Sequence, residues 1–256
     1  MHPVLFHIGP YTLYAYGVFL AAGFLAAATW AGHEARLRDL NQGQIPLLLL
    51  AAVFGATAGG RLGYVLLHLT YFWENPGEIL RLWHGGLLYA GGALVGGTCV
   101  FTTIGRRNPN LWRWFDALAP AVALGESVGR LGCLFAGCGF GPATTLPWGI
   151  RLVHPEAAGP LFTPLHPTPL YFSLAAIILF ALICAMRTPL RDHPGVAAGI
   201  FLISWGIVQA VLLPLQEATS ASLWYARGLA ALTYTAAGIW ILTTGRHHVD
   251  RRNSSR

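Results

Sequence analysis

The chain has 256 residues, of which 55% are hydrophobic and only 10% are charged. Its mean hydropathy is +0.54, whereas about a quarter of the residues in a soluble globular chain are charged. This composition excludes an ordinary soluble protein and indicates an integral membrane protein. All 16 cations are arginines. They bracket apolar segments instead of forming one basic face, so a nucleic-acid partner is not expected.

Seven apolar segments approach the ~20 residues that a helix needs to cross a bilayer. They fall at residues 12–31, 45–69, 86–104, 114–138, 169–186, 195–214 and 223–243. The sequence therefore predicts an all-α fold in which residues 1–256 form a single transmembrane domain of seven helices.

The placement of the arginines predicts how these helices are oriented. Eleven arginines flank the helices on the side that carries the C-terminal tail, and only Arg81 and Arg151 lie on the opposite side. Because cytoplasmic loops are enriched in Lys and Arg, we expect the N-terminus outside and the C-terminus in the cytoplasm.

The longest segment between predicted spans, 139–168, contains prolines at six positions and Trp148. Proline restricts the unfolded chain and Trp favours the membrane interface, so this segment is predicted to be an ordered arm or cap on the outer face. Thr168 and Pro169 suit the N-cap and first turn of the fifth helix, which puts His166 just outside the membrane.

The second and third predicted helices are rich in glycine. Helix two has a stripe of small residues that lets another helix approach closely, at Gly55, Gly59 and Gly63. Arg61 lies within this stripe beside Tyr64, and an arginine at membrane depth needs a phosphate, a carboxylate or a water-filled cavity. The glycines after His84 should break helix three, which is tolerated where the backbone is buried in protein or lines a cavity.

Segment 125–141 carries the most unusual polar groups of the chain. In a run of glycine and apolar residues it contains Glu126, Arg130, Cys133 and Cys138. Glu126 and Arg130 are one helical turn apart and could pair only to lower the cost of burial. Arg130 could instead bind an anionic lipid headgroup together with Arg61, since guanidinium matches phosphate in a bidentate manner.

The two cysteines of this segment lie about 140° apart around an ideal helix. They face each other only if Gly137 or Gly139 ends the helix. The pair is a weak signal for a metal site, which needs two further ligands, and a better one for a reversible disulfide. A thiolate near Arg130 would be reactive. Neither a metal ion nor a cofactor is expected.

These segments together resemble the prolipoprotein diacylglyceryl transferases. The matching phrases are Tyr14–Gly17, Gly59–Tyr64, the paired glycines of 85–92 that flank Tyr89, Asp116 before Ala119 and Pro120, Gly129–Gly132 with Gly141, and His166–Thr168 before Leu170 and Tyr171. The resemblance implies a seven-helix enzyme of the bacterial inner membrane. It moves diacylglycerol from phosphatidylglycerol to the lipobox cysteine of a preprolipoprotein.

The resemblance also implies roles for individual residues. Arg130, Arg61 and Gly141 would bind the lipid phosphate, and Tyr16 would orient the headgroup. Glu126 is the first choice as base, with His84 and His166 as further choices. The other candidates implied by the matching phrases are Tyr64, Tyr89 and Asp116.

The chain departs from the family pattern at several polar positions. Ala90 stands where the family has a functional His, Cys133 and Cys138 replace an Asn and a Glu, Gln209 and Leu213 replace an Arg and a Glu, and Phe172 ends a phrase that reads Gln-Leu-Tyr-Glu in the family. Three hypotheses follow. The chain is a transferase acting on a prolipoprotein or another thiol acceptor, it uses its cysteine pair for thiol–disulfide or acyl-carrier chemistry, or it is a non-catalytic lipid-binding protein.

Overall fold

A computed structural model describes residues 3–8, 11–82, 85–105, 108–157, 159–216 and 221–253. The helices are α1 (Ala15–Leu37), α2 (Ile45–Leu67), α3 (Leu69–Glu74), α4 (Tyr89–Ile104), α5 (Leu111–Ala136), α6 (Thr168–Ala185), α7 (Arg187–Leu190), α8 (Val196–Leu212) and α9 (Ala221–Asn253). His84, one of the candidate bases, lies outside the described residues.

The chain is mostly helical, as expected of a polytopic membrane protein. Within the described residues, five stretches are long and apolar enough to cross a membrane: Ala15–Leu37, Gln42–Leu67, Leu111–Ala136, Thr168–Ala185 and Val196–Leu215. The predicted span 86–104 coincides with α4, which has only 16 residues. The predicted span 223–243 lies within the longer helix α9.

The all-α prediction missed two small antiparallel sheets. Strands β1 (Val4–Ile8) and β2 (Tyr11–Tyr14) pair directly before α1, and β3 (Ile150–Arg151) pairs with β4 (Pro164–Leu165) in the segment predicted as an arm. That segment has a small core of its own, formed by Phe140, Leu152 and Leu165. Strands of two to five residues are too short to show a clear alternation of apolar and polar residues.

Helix α5 occupies the centre of the bundle. It packs most extensively against α1 and α6, while α2 packs along α4 and α8 along α9. The small-residue stripe of α2 does mediate close packing, as predicted: a Cβ at Gly55 would lie 2.9 Å from the Cα of Gly96, and Gly59 is pressed against Gly91. These glycines let the backbones of α2 and α4 approach each other closely.

Candidate functional site around Arg130

Arg130 and Glu126 form an ion pair on α5, about 9 Å from the end of that helix at 1.5 Å per residue. The Nε atom of Arg130 donates to Oε1 of Glu126 at 2.8 Å, and Nη2 lies 2.8 Å from the same oxygen in the ion pair. About a fifth of each side chain is exposed, 21% for Arg130 and 19% for Glu126. The pairing predicted from the four-residue spacing is therefore present, and it fixes the guanidinium by one edge.

Two aromatic rings fix the guanidinium by its faces. The Cζ atom of Arg130 lies 4.8 Å from the ring centroid of Tyr89 on α4 and 4.6 Å from that of Phe172 on α6. The Tyr89 hydroxyl accepts a hydrogen bond of 3.3 Å from Nε1 of Trp205, and Tyr234 lies within interaction distance of it. Helices α4, α5, α6, α8 and α9 thus all contribute to the orientation of one cation.

The fixed guanidinium retains donors for a ligand. Of its five N–H groups, two are used by Glu126, and the other three have no hydrogen-bond partner among the described residues. A planar cation with three unused donors in a partly desolvated site is suited to bind a phosphate.

The cysteines meet at the end of α5. Gly137 adopts a left-handed conformation with φ 73° and ψ 36°, and the N–H of Cys138 donates to the carbonyl of Cys133 at 3.0 Å. This is the Schellman pattern, which brings the side chains at its two ends into contact. The two thiols interact directly. They face each other because the helix ends at Gly137, as the sequence required for a contact between them.

Tyr16 lies close to the same cluster. It is the second residue of α1, and its backbone packs against Gly132, where a Cβ would lie 3.3 Å from the carbonyl oxygen of Tyr16. Its phenol is near enough to interact electrostatically with Cys133, Cys138 and Arg130. The structure therefore brings together Tyr16, Tyr89, Glu126, Arg130 and both cysteines of the predicted site.

Arg61 has a different environment from Arg130. Its five N–H groups donate to backbone carbonyls, at 2.9 Å for Ile79, 2.6 Å for Gly85, 3.1 Å for Gly86 and 3.4 Å for Arg81, with Glu78 as the remaining acceptor. No N–H of this guanidinium is left for a lipid phosphate. The predicted phosphate role is therefore not supported for Arg61, whose donors satisfy carbonyls of the short 3-10 helix Pro76–Leu80 and of the loop that follows it before α4.

Tyr64 lies with Arg61 and not with Arg130. Its ring stacks on His68 with the centroids 4.2 Å apart, and it lines a cleft of ≈ 330 Å³. The Cζ atom of Arg61 lies 5.2 Å from the ring of Phe72 in the same cleft. This part of the structure supports the loop that leads into α4.

Gly141 and His166 lie at the base of the arm. The N–H of Gly141 donates to the carbonyl of His166 at 2.9 Å, and a Cβ at Gly141 would collide with the carbonyl oxygen of Leu215. Gly141 is thus required for close backbone approach and has no N–H free for the phosphate that was predicted to bind there. The Nδ1 atom of His166 lies 3.3 Å from the hydroxyl of Tyr171, which accepts from Nε1 of Trp148 at 2.9 Å.

Asp116 lies at the far end of α5. Its carboxylate is fully buried and accepts from the backbone N–H groups of Gly195 at 2.7 Å and Ala198 at 3.0 Å, so that it caps the start of α8. Arg38 lies 4.0 Å away. Fourteen residues, or about 21 Å of helix, separate Asp116 from Arg130. The structure does not bring this candidate to the site and gives it a structural role.

Gln209, one of the polar positions at which the chain departs from the family pattern, has an unpaired donor. Its side chain is buried on α8, and its Nε2 atom has no hydrogen-bond partner within the described part of the chain. It lies one turn after Trp205, whose ring centroid is 6.0 Å from that of Phe172. Phe172 is one of the two rings that contact the guanidinium of Arg130. A buried amide nitrogen without a partner is uncommon and requires an explanation.

The chain is similar to known proteins over most of its length. A family model described as prolipoprotein diacylglyceryl transferase matches residues 3–243. A phosphatidylglycerol–prolipoprotein diacylglyceryl transferase from Solidesulfovibrio magneticus is 33% identical over 252 residues, which cover 94% of this chain and 93% of the relative. The protein of the same name from Synechococcus elongatus is 35% identical over 215 residues, covering 80% and 73%.

Proposed function

Because this chain belongs to the prolipoprotein diacylglyceryl transferase family, we propose that it transfers a diacylglyceryl group from phosphatidylglycerol to the cysteine thiol of a prolipoprotein. The proposal rests on the contacts and the unused hydrogen-bond donors of the Arg130 guanidinium. Its guanidinium is held by Glu126 and by two aromatic rings, yet it keeps three N–H groups without a partner among the described residues. Phosphatidylglycerol supplies a phosphate that these donors can bind.

In the proposed reaction the acceptor sulfur attacks the glyceryl carbon that carries the phosphate. A C–S bond forms, the C–O bond to the phosphate breaks, and glycerol phosphate leaves with the electron pair. Negative charge grows on the phosphate oxygen during this step, so donors already oriented toward it stabilise the transition state more than the bound lipid. Arg130 performs this role, and the Tyr16 phenol orients the headgroup.

Glu126 is the proposed base for the acceptor thiol. Its Oε1 atom is occupied by Arg130, but Oε2 has no hydrogen-bond partner among the described residues. His166 is less suited. Its Nδ1 atom lies 3.3 Å from the Tyr171 hydroxyl, which also accepts from Nε1 of Trp148. The imidazole is therefore already engaged in a hydrogen-bonded chain at the base of the arm.

Gln209 is proposed as a second donor to the headgroup. An amide N–H buried without a partner costs about 1–3 kcal/mol, and a bound ligand with oxygen acceptors would recover that cost. The glycerol hydroxyls and the phosphate of phosphatidylglycerol provide such acceptors. Gln209 therefore complements Arg130 with a neutral donor from α8.

We also propose seven membrane crossings in a bacterial inner membrane, with the N-terminus outside. The five long apolar stretches, α4 and the first part of α9 supply the crossings. Helix α4 is about 24 Å long at 1.5 Å per residue, shorter than the ~30 Å hydrocarbon core. Arg61 completes this crossing because it satisfies carbonyls of the residues before α4 that lie outside any α-helix, as backbone at membrane depth requires. Segment 139–168 then forms the periplasmic arm.

The proposal is tested with purified protein in phosphatidylglycerol micelles and a lipobox peptide. We expect a thioether-linked diacylglyceryl peptide and an equal amount of glycerol phosphate. Neither product should form when phosphatidylethanolamine replaces phosphatidylglycerol. Lipid binding without either product would indicate the non-catalytic hypothesis, and phosphatidylglycerol-derived label on Cys133 or Cys138 would indicate the acyl-carrier hypothesis.

A further inference from the structure

The four cysteines of the chain have different surroundings. Cys99 lies in the packed seam of α2 and α4, where a Cβ at Gly55 would be 2.9 Å from its Sγ atom. Cys184 lies near the end of α6 and interacts with Arg187. Only Cys133 and Cys138 interact with each other among the described cysteines. The pair is therefore set apart by geometry as well as by sequence spacing.

The turn after α5 presents the two thiols to each other. The left-handed Gly137 reverses the chain, and the hydrogen bond from Cys138 to the Cys133 carbonyl closes the six-residue turn at 3.0 Å. A disulfide needs two side chains that point at each other across a short gap, and this turn supplies that arrangement without movement of a helix. Both cysteines are half-buried, so a small thiol reagent can reach them.

We propose that Cys133 and Cys138 form a reversible intrachain disulfide. Each thiol loses one hydrogen, a single S–S bond forms, and two electrons pass to the disulfide of an exchange partner, which leaves as two thiols. The partner is a small-molecule or protein disulfide. The exchange proceeds through attack of one thiolate on the partner disulfide, followed by displacement by the second cysteine. This proposal concerns the chemistry of the pair alone and does not depend on transferase activity.

The test uses the full chain with Cys99→Ser and Cys184→Ser, so that the proposed pair supplies the only thiols. The protein is equilibrated in detergent with glutathione buffers of increasing oxidised fraction and quenched with acid. Free thiols are alkylated with N-ethylmaleimide. After reduction, newly released thiols are labelled with an isotopically heavy form of the same reagent. Trypsin then releases residues 131–151, which carry both cysteines on one peptide.

We expect both cysteines to change from light to heavy label together, at one midpoint. The unreduced peptide should be lighter than the dithiol form by two hydrogens. Unsubstituted protein serves as the folding control, with Cys99 and Cys184 keeping the light label. A pair that stays fully alkylated in the most oxidising buffer would overturn the proposal. So would stable glutathione adducts on either cysteine in place of the intrachain bond.

Discussion

The Oε1 atom of Glu126 accepts a hydrogen bond from Nε of Arg130 at 2.8 Å and lies 2.8 Å from Nη2 of the same guanidinium. One carboxylate oxygen thus serves two donors, and Oε2 has no hydrogen-bond partner among the described residues. The asymmetry lets one side chain hold the cation with one oxygen and receive a proton with the other. These two roles make different predictions for an amide at the same position.

Glu126→Gln keeps a side-chain oxygen that can accept from Arg130 but removes the group that takes a proton. If Glu126 is the base, we expect kcat to fall about 10²–10⁴-fold while KM for phosphatidylglycerol changes little. Steady-state transfer to the lipobox peptide measures both constants. A variant that keeps most of its kcat would limit Glu126 to positioning Arg130.

Arg130→Lys keeps the positive charge and loses the planar fork that stacks between two rings. We expect kcat/KM to fall by at least about 100-fold, roughly 2.7 kcal/mol of transition-state stabilisation, while the protein remains folded in the membrane. Arg81→Lys is the matched control, because Arg81 is 52% exposed and pairs with Glu78 at 2.6 Å. Equal activity of Arg130→Lys and the control would exclude the proposed phosphate contact.

Arg61→Lys tests whether the second buried arginine is structural. Lysine has three donors where arginine has five, so at least two carbonyls before α4 lose their partner. We expect a loss of more than about 3 kcal/mol in the free energy of unfolding, measured by denaturant unfolding in detergent. A stable variant with a raised KM for phosphatidylglycerol would instead restore the phosphate role for Arg61.

The sequence predicted features that depend on local spacing. The four-residue interval joins Glu126 to Arg130, and the glycine stripe of α2 does pack on α4. The partners of Arg61 could not be predicted, since they lie 17 to 25 residues away on a loop whose path has no periodic signal. The hydrogen-bond partners of Asp116 could not be predicted for the same reason, because they lie at the start of α8, 79 and 82 residues away.

Phe172→Leu removes one of the two aromatic rings that contact Arg130, while leaving an apolar side chain at that position. A desolvated cation–π contact contributes about 1–2 kcal/mol, so we expect kcat/KM to fall about 5- to 30-fold. Phe201→Leu is the matched control, because Phe201 is equally buried and stacks on Trp205 with the centroids 6.3 Å apart, but it belongs to no described contact with Arg130. The same loss in both variants would show that packing alone determines the effect.

Gln209→Leu separates a ligand contact from a structural defect, because the two interpretations differ in stability and in activity. Leucine removes the buried amide nitrogen that has no partner among the described residues. The empty protein should therefore become more stable, by about 1–3 kcal/mol. If that nitrogen donates to the lipid headgroup, the same variant should bind phosphatidylglycerol more weakly and show a smaller increase in melting temperature when the lipid is added.

Thermal unfolding in detergent, with and without phosphatidylglycerol, measures both effects. A more stable variant with undiminished lipid binding and transfer would mean that the amide is an unpaired group of the fold, and Arg130 would remain the proposed phosphate ligand without a contribution from α8.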